Sequence, residues 1–140
     1  MTHDEFIAEY GKLAPRIIEL YTTSKKIGLL ALEEILDGEK AKQRDIMEYS
    51  IRFIVNGMDT KILEKILSNI VQQEDDKYAR LLMEIKKEAA LSLQYGLSLY
   101  SLYPLLNSYT DIPIEDDPIA KFYVGKASEK EELFFLSTGI

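Results

Sequence analysis

The sequence predicts an all-α fold, a small helical bundle of four to five helices with a short C-terminal β-hairpin or irregular tail. Three observations carry that prediction. Apolar residues recur three and four positions apart as far as Tyr109, the spacing of one helix face. Asp37-Gly38, Asn56-Gly57 and Tyr95-Gly96 interrupt these stripes with the signals that commonly end helices. From Ile119 onward the sequence changes character, becoming rich in aromatic and β-branched residues, as strands prefer. At 140 residues the chain is one domain by length and can bury roughly two-thirds of its unfolded surface. Residues 1–112 are assigned to the helical domain and 113–140 to a tail packed on it.

The first helix can be capped by Thr2 or Asp4, and its apolar stripe is Phe6, Tyr10, Leu13, Ile17 and Tyr21. Pro15 lacks an amide hydrogen and crowds the preceding turn, which predicts a kink or a fresh start there. The helix then continues through Ile18, Leu29, Leu32 and Leu36 to stop at Asp37-Gly38. A second helix spans about Lys40 to Val55, with a core face of Ile46, Tyr49 or Ser50, and Phe53. Asp59 or Thr60 caps a third, whose adjacent rows Ile62-Ile66-Ile70 and Leu63-Leu67-Val71 form a buried face.

"QQEDDK", residues 72–77, is wholly polar yet lacks Gly and Pro, so a break and a helix crossing solvent both stay open. Helical spacing returns at Tyr78, Leu82, Ile85 and Ala89 and ends at Tyr95-Gly96, after which Ser98 caps a short helix to Tyr109. Thr110 to Pro118 reads as a loop. In the tail, "IAKFYVGK" and "EELFFLSTG" flank a turn-like "GKASEK" and read first as a hairpin; Ser128-x-x-Glu131 offers a rival capped helix. If these stripes make one domain, Leu32, Phe53, Leu67 and Leu91 share its interior.

Composition narrows function. A net charge of -7 opposes phosphate binding, which needs clustered Lys and Arg, so nucleic acid is not expected as a partner. With no Cys there is no thiol nucleophile, thiolate metal site or disulfide, in keeping with a cytoplasmic chain. "MTHDEFIAEY" has acids and no apolar run, unlike a signal or transit peptide. Residues 89–110 carry no charge, but their Ser residues, Gln94, Gly96, Asn107 and Pro104 argue for two water-soluble helices rather than a membrane span.

Catalytic chemistry finds little to work with. The single histidine, His3, lies in a terminus expected to fray, so no triad, His-based zinc site or di-iron motif can be assembled. The acid pairs Glu33-Glu34, Asp75-Asp76, Glu115-Asp116-Asp117 and Glu131-Glu132 read as solvated faces and loops. No glycine-rich phosphate loop is present. No enzyme, cofactor or metal is expected. Tyr95, Tyr100, Tyr103 and Tyr109 are either core rings or a partner-binding patch.

Three stretches carry a resemblance. "SKKIGLLALEE" offers Lys25, Gly28, Leu29, Leu30, Ala31, Leu32 and Glu33; "FIVNGMDTKILEKIL" offers Phe53, Ile54, Val55, Gly57, Asp59, Ile62, Leu63 and Leu67. "IKKEAALSLQYGLSLYSLYPLLNSY" adds Glu88, Leu91, Leu93, Gln94, Gly96, Leu106, Ser108 and Tyr109. In this order they resemble the cytoplasmic portions of flagellar stator proteins of the MotA/TolQ/ExbB family, over roughly residues 10–112. The family's transmembrane helices have no counterpart here; only "QQEDDKYARLL" stands between the second and third stretches. The resemblance therefore implies a MotA-like protein that does not conduct ions.

In that family the residues matched by Lys25 and Glu33 face oppositely charged side chains of the rotor protein FliG. On one continuous helix they would be offset by roughly 80 degrees and lie about 12 Å apart, both able to reach one partner. Exposed ion pairs contribute at most about 1 kcal/mol each, so such a strip orients a partner more than it holds one. The chain departs from the family at Ser68, Asn69 and Gln72, at Ser98-Leu99-Tyr100 and at Tyr103-Pro104-Leu105, where apolar and aromatic residues suit burial against a new surface. The partner-binding candidates are thus Lys25 and Glu33 for charge and Tyr100 and Tyr103 for apolar contact. The expected function is a non-enzymatic flagellar-motor interaction protein docking on a FliG-like rotor or MotA-like stator protein at the cytoplasmic face of the motor. The alternative is a helical adaptor or regulator with no flagellar role. A homo-oligomer is compatible with either.

Overall fold

Glycine and aspartate set the helix boundaries. The computed structural model describes residues 1–37 and 45–122. Its α-helices are α1 (His3–Ile27), α2 (Leu32–Asp37), α3 (Ile46–Val55), α4 (Thr60–Gln72), α5 (Lys77–Tyr95) and α6 (Leu99–Asn107), with further helical backbone over 118–122. No strand occurs among the described residues. Five of these α-helices start on a side-chain cap: at α3 to α6 Asp45 accepts from the Met47 and Glu48 amides, Asp59 from Lys61 and Ile62, Asp76 from Ala79, and Ser98 from Ser101. At α1 it is Thr2 that caps, in a reciprocal box with Glu5.

Several sequence expectations need correction. The first predicted helix is not continuous to Leu36: Gly28, at φ +111°, ends α1 and turns the chain into a 3-10 segment, Leu29–Ala31, before α2 begins. Pro15, in contrast, starts no new helix, because α1 runs through it and leaves only the carbonyl four residues back without its usual donor. Asp45 holds extended backbone, so the helix that reaches Val55 starts at Ile46; the part of the second predicted helix from Lys40 to Arg44 lies outside the described residues. Its core face uses Ser50, whose hydroxyl donates to the Ile46 carbonyl at 2.6 Å, while Tyr49 points to solvent. In α4 only Leu63, Leu67 and Val71 are buried; of the second row Ile62 is exposed. "QQEDDK" is a break, since Gln73 closes α4 and Asp76 opens α5. Residues 118–122 are helical, with Pro118 at the first position after the Asp117 cap, so no strand opens at Ile119. The remainder of the expected hairpin, and the rival helix at Ser128, lie outside the described residues.

The helices pack around α5, which meets α1, α3, α4 and α6, while α2 rests on α3 and α1. One apolar cluster joins every helix: Phe6, Tyr10 and Ile17 of α1, Leu32 of α2, Ile51 of α3, Leu67 of α4, Ile85 and Leu91 of α5 and Leu106 of α6. Leu32, Leu67 and Leu91 are buried in it and Phe53 packs against it partly buried, as a single interior requires. Ile119 is fully buried in the same cluster, so the first part of the segment assigned to the tail contributes to the core. Removing about 25 cal/mol per Å² of apolar surface from water is what draws these stripes together.

Polar ties cross the bundle at its edges. Arg16 of α1 donates to both oxygens of Glu48 on α3, at 2.7 and 2.8 Å, and Lys86 of α5 pairs with the capping Asp45 at 2.9 Å. The N-terminus is held down: the Met1 amino group pairs with Asp76 at 3.0 Å, and His3 meets Asp111 at 2.9 Å and the edge of the Tyr78 ring. This reverses the expectation that it frays.

Candidate functional site

The stretch from Ser24 to Glu34 forms the corner between α1 and α2. Lys25 and Lys26 occupy the last turn of α1, where backbone carbonyls point outward and favour cations. The Gly28 amide donates to the Ser24 carbonyl at 2.9 Å, and its backbone then leaves the helix in a conformation that only glycine adopts cheaply. Glu33 and Glu34 follow in the first turn of α2, whose Leu32 amide already donates to the Leu29 and Leu30 carbonyls of the preceding 3-10 segment. The basic pair thus sits at a helix end of matching polarity, which is worth roughly 0.3–1 kcal/mol. Lys25 and Glu33 are exposed and make no ion pair among the described residues. They stand on different helices, so the spacing expected from one continuous helix does not apply.

Helix-end electrostatics leaves the apolar residues of the corner unexplained. Leu29 packs against the core and Leu32 and Leu36 are buried within it. Ile27 and Leu30 instead project into solvent, each 71% exposed, the two most exposed large apolar side chains described. Ile27 directly precedes Gly28 and Leu30 follows it by two residues, and an added Cβ at Gly28 would meet no atom of the described residues within 4 Å. Basic residues precede it and acidic residues follow it in the chain. Sequence reasoning found Lys25 and Glu33 here but missed Ile27 and Leu30, which it placed within a helix. The signal was present in Gly28 followed by two consecutive leucines.

The aromatic candidates form a second group. Tyr100, 54% exposed, and Tyr103, partly buried, stand edge to face on α6 with ring centres 6.2 Å apart. Tyr95 is exposed at the end of α5, whereas Tyr109 donates to the Glu88 carboxylate at 3.1 Å, and burial beside that charge pushes its pKa up to about 12. The structure therefore brings Tyr100 and Tyr103 together on α6 and places Lys25 and Glu33 at the α1–α2 corner.

Two other places concentrate polar groups. A cleft of about 190 Å³ between α1, α3 and α5 is lined by Glu9, Lys12, Arg16, Asp45, Glu48 and Lys86; Lys12 pairs with Glu9 along α1, while Arg16 with Glu48 and Lys86 with Asp45 pair between elements. The latter two pairs tie helices together. The second place corrects the reading of the acid pairs as solvated: Asp117 is fully buried, and its carboxylate accepts from the Tyr10 hydroxyl at 2.7 Å, the Asn107 side-chain amide at 3.1 Å and the Ile119 backbone amide at 2.9 Å. Burial first, and then this carboxylate, hold the Tyr10 phenol protonated far above its ordinary range. An Asp directly before Pro, opening a helix, was the sequence signal for such a cap.

Among the described residues no three His, Asp or Glu side chains converge as metal ligands, and no helix is long and apolar enough to cross a membrane. The described surface carries exposed apolar and aromatic side chains as well as charges of both signs. Compared with protein-family models, with curated proteins and with solved structures, the chain matches none.

Proposed function

We propose that this chain is a non-enzymatic interaction protein of the flagellar motor that docks through the α1–α2 corner on a FliG-like rotor protein, or beside it on a MotA-like stator protein, without conducting ions. The observation that carries the proposal is the exposure of Ile27 and Leu30 between Lys25 and Glu33, at the place where the stator-like pattern puts its rotor-facing charges. Apolar side chains left this open next to unpaired charges are what an interface needs: area to bury and charge to orient the partner. Tyr100 and Tyr103 add aromatic surface on α6.

The test is titration of purified chain with a FliG-like rotor protein. Lys25→Glu and Glu33→Lys are each expected to weaken binding about tenfold, the lost contact giving at most about 1 kcal/mol and the repulsion of the reversed charge the rest. Matching reversals on the rotor helix should restore it. Binding that ignores both substitutions removes these residues from the interface. One observation favours the second reading, a helical adaptor unconnected with motility: Gly28 divides the helix on which the stator-like charges would share a face. Motility genes around the coding sequence support the motor assignment, and a genome without any supports the adaptor.

A further inference from the structure

Four consecutive large apolar residues, Leu133, Phe134, Phe135 and Leu136, belong to the part of the chain after Phe122, outside the described residues. At about 25 cal/mol per Å², leaving all four in water is costly, and the described surface offers them a place close to where their tether begins. Tyr100, Tyr103 and Asn107 are spaced three and four apart on α6 and so form one stripe along it. At one end of the stripe Asn107 is buried, its side-chain amide donating to Asp117 at 3.1 Å, and the backbone runs from Asp117 to Phe122. Toward the other end Tyr103 is partly buried and Tyr100 is 54% exposed. The stripe is thus occupied where the segment leading into residues 123–140 crosses it, and open beyond.

We infer that residues 133–136 of the same chain dock on Tyr100 and Tyr103, continuing along α6 the contact that Asp117 begins at Asn107. Tether length selects this patch. At 1.5 Å per residue Tyr103 lies about 6 Å and Tyr100 about 10 Å along α6 from Asn107, whereas Ile27 lies about 25 Å along α1 from Tyr10, the other side chain that Asp117 holds. Ten residues, 123–132, span at most about 35 Å, so α6 lies well inside their reach, where a tethered group is most concentrated, and the α1–α2 corner lies nearer its limit. The chemistry agrees. The two tyrosine rings stand edge to face and offer aromatic surface to Phe134 and Phe135, and α6 carries no charge to repel Glu131 and Glu132. A rotor protein that uses Tyr100 and Tyr103 has to displace this segment. The contact is made within one chain, however, and stands or falls separately from the motor assignment.

The chain has no cysteine, so Ser137→Cys takes a single spin label beside the apolar run. In the isotope-labelled full chain the label is expected to remove most of the amide signal intensity from Leu99 to Tyr103 and to spare Ile27, Leu30 and Ile62. Phe134→Ser combined with Phe135→Ser should return the lost intensity. Tyr100→Ser, at an exposed position, should return it too, with circular dichroism confirming an unchanged helical content. Spin-labelled chain without isotope, mixed with isotope-labelled chain without the spin label, should cause no loss, as a contact within one chain requires.

No loss at α6, loss spread evenly over the surface, or loss at Ile27 and Leu30 or at Ile62 in place of α6 overturns the inference. So does loss that the phenylalanine substitutions leave unchanged, and loss in the mixed sample, which would assign the patch to a second copy. A chain that docks its own segment yet ignores a rotor protein leaves this inference standing and the motor assignment fallen; rotor binding by a chain without the α6 loss does the reverse.

Discussion

A carboxylate without solvent is costly to bury, and Asp117 tolerates it because three donors from different parts of the chain meet it: Tyr10 from α1, Asn107 from α6 and the Ile119 amide beside it. Removing the carboxylate takes the acceptor from the buried Tyr10 hydroxyl and the Ile119 amide and leaves the Asn107 side-chain amide only its bond to the Ile112 carbonyl. Asp117→Ala should therefore destabilise the chain by roughly 2–4 kcal/mol, and Tyr10→Phe by about 1.5 kcal/mol, both read as a lower midpoint of urea unfolding. At the surface, His3 and Asp111 form a smaller tie whose effect depends on pH. The hydrogen bond to Asp111 raises the His3 pKa above 6.5, and the same bond lowers that of Asp111 below 3.8. The His3 contribution is complete below 6.5 and is lost as pH rises through the elevated value; the Asp111 contribution is complete above 3.8 and is lost as pH falls through the depressed one. His3→Gln should thus lower the melting temperature most near pH 5.5, between those limits, and least near pH 8.5, a contrast that thermal melts at the two pH values measure. Neither residue was legible as a tie from the sequence. Their partners lie more than a hundred positions away, and only the closed bundle brings them together.

At the scale of single elements, local rules explain most of what was read correctly. Asp59 before α4, Ser98 before α6 and the Gly96 closing α5 are short-range signals, and each acts where the sequence put it. The errors came where two local signals compete. Pro15 was weighted as a breaker and Gly28 was passed over, whereas α1 absorbs the proline and ends at the glycine. The difference is packing: Phe6, Tyr10, Ala14, Ile17 and Leu20 bury one unbroken face on either side of Pro15, which is itself exposed. No comparable burial spans Gly28, where Ile27 and Leu30 face water. Because Pro15 contributes no core packing, Pro15→Ala should restore the missing hydrogen bond and stabilise the chain by roughly 1–3 kcal/mol. Equilibrium unfolding checks it, and a neutral or negative change would mean that the proline serves a contact or a bend that α1 needs. Charge signs followed the same local logic. Lys25-Lys26 complement the C-terminal end of α1, a role that disappears if the helix runs on past Gly28.

Across the whole molecule, the all-helical character and the common interior were legible because both rest on periodicity, and Leu32, Leu67 and Leu91 do meet around α5. The contribution of Ile119 was not, since one apolar residue after a proline carries no period. The candidate site was legible in half. Lys25, Glu33, Tyr100 and Tyr103 all lie at or near the surface, but the apolar corner that gives Lys25 and Glu33 something to orient became visible only when Gly28 was seen to end a helix. The central proposal is that this helical bundle presents the α1–α2 corner to a rotor partner, with α6 as a second contact. The most direct measurement is a titration of the isotope-labelled chain with a FliG-like rotor protein, followed through its backbone amide resonances. The account predicts changes concentrated at Lys25 to Glu34, with a smaller set at Tyr100 and Tyr103. Resonances of that corner left unmoved at saturation, or changes confined to another face such as the exposed Ile62 side of α4, would contradict it.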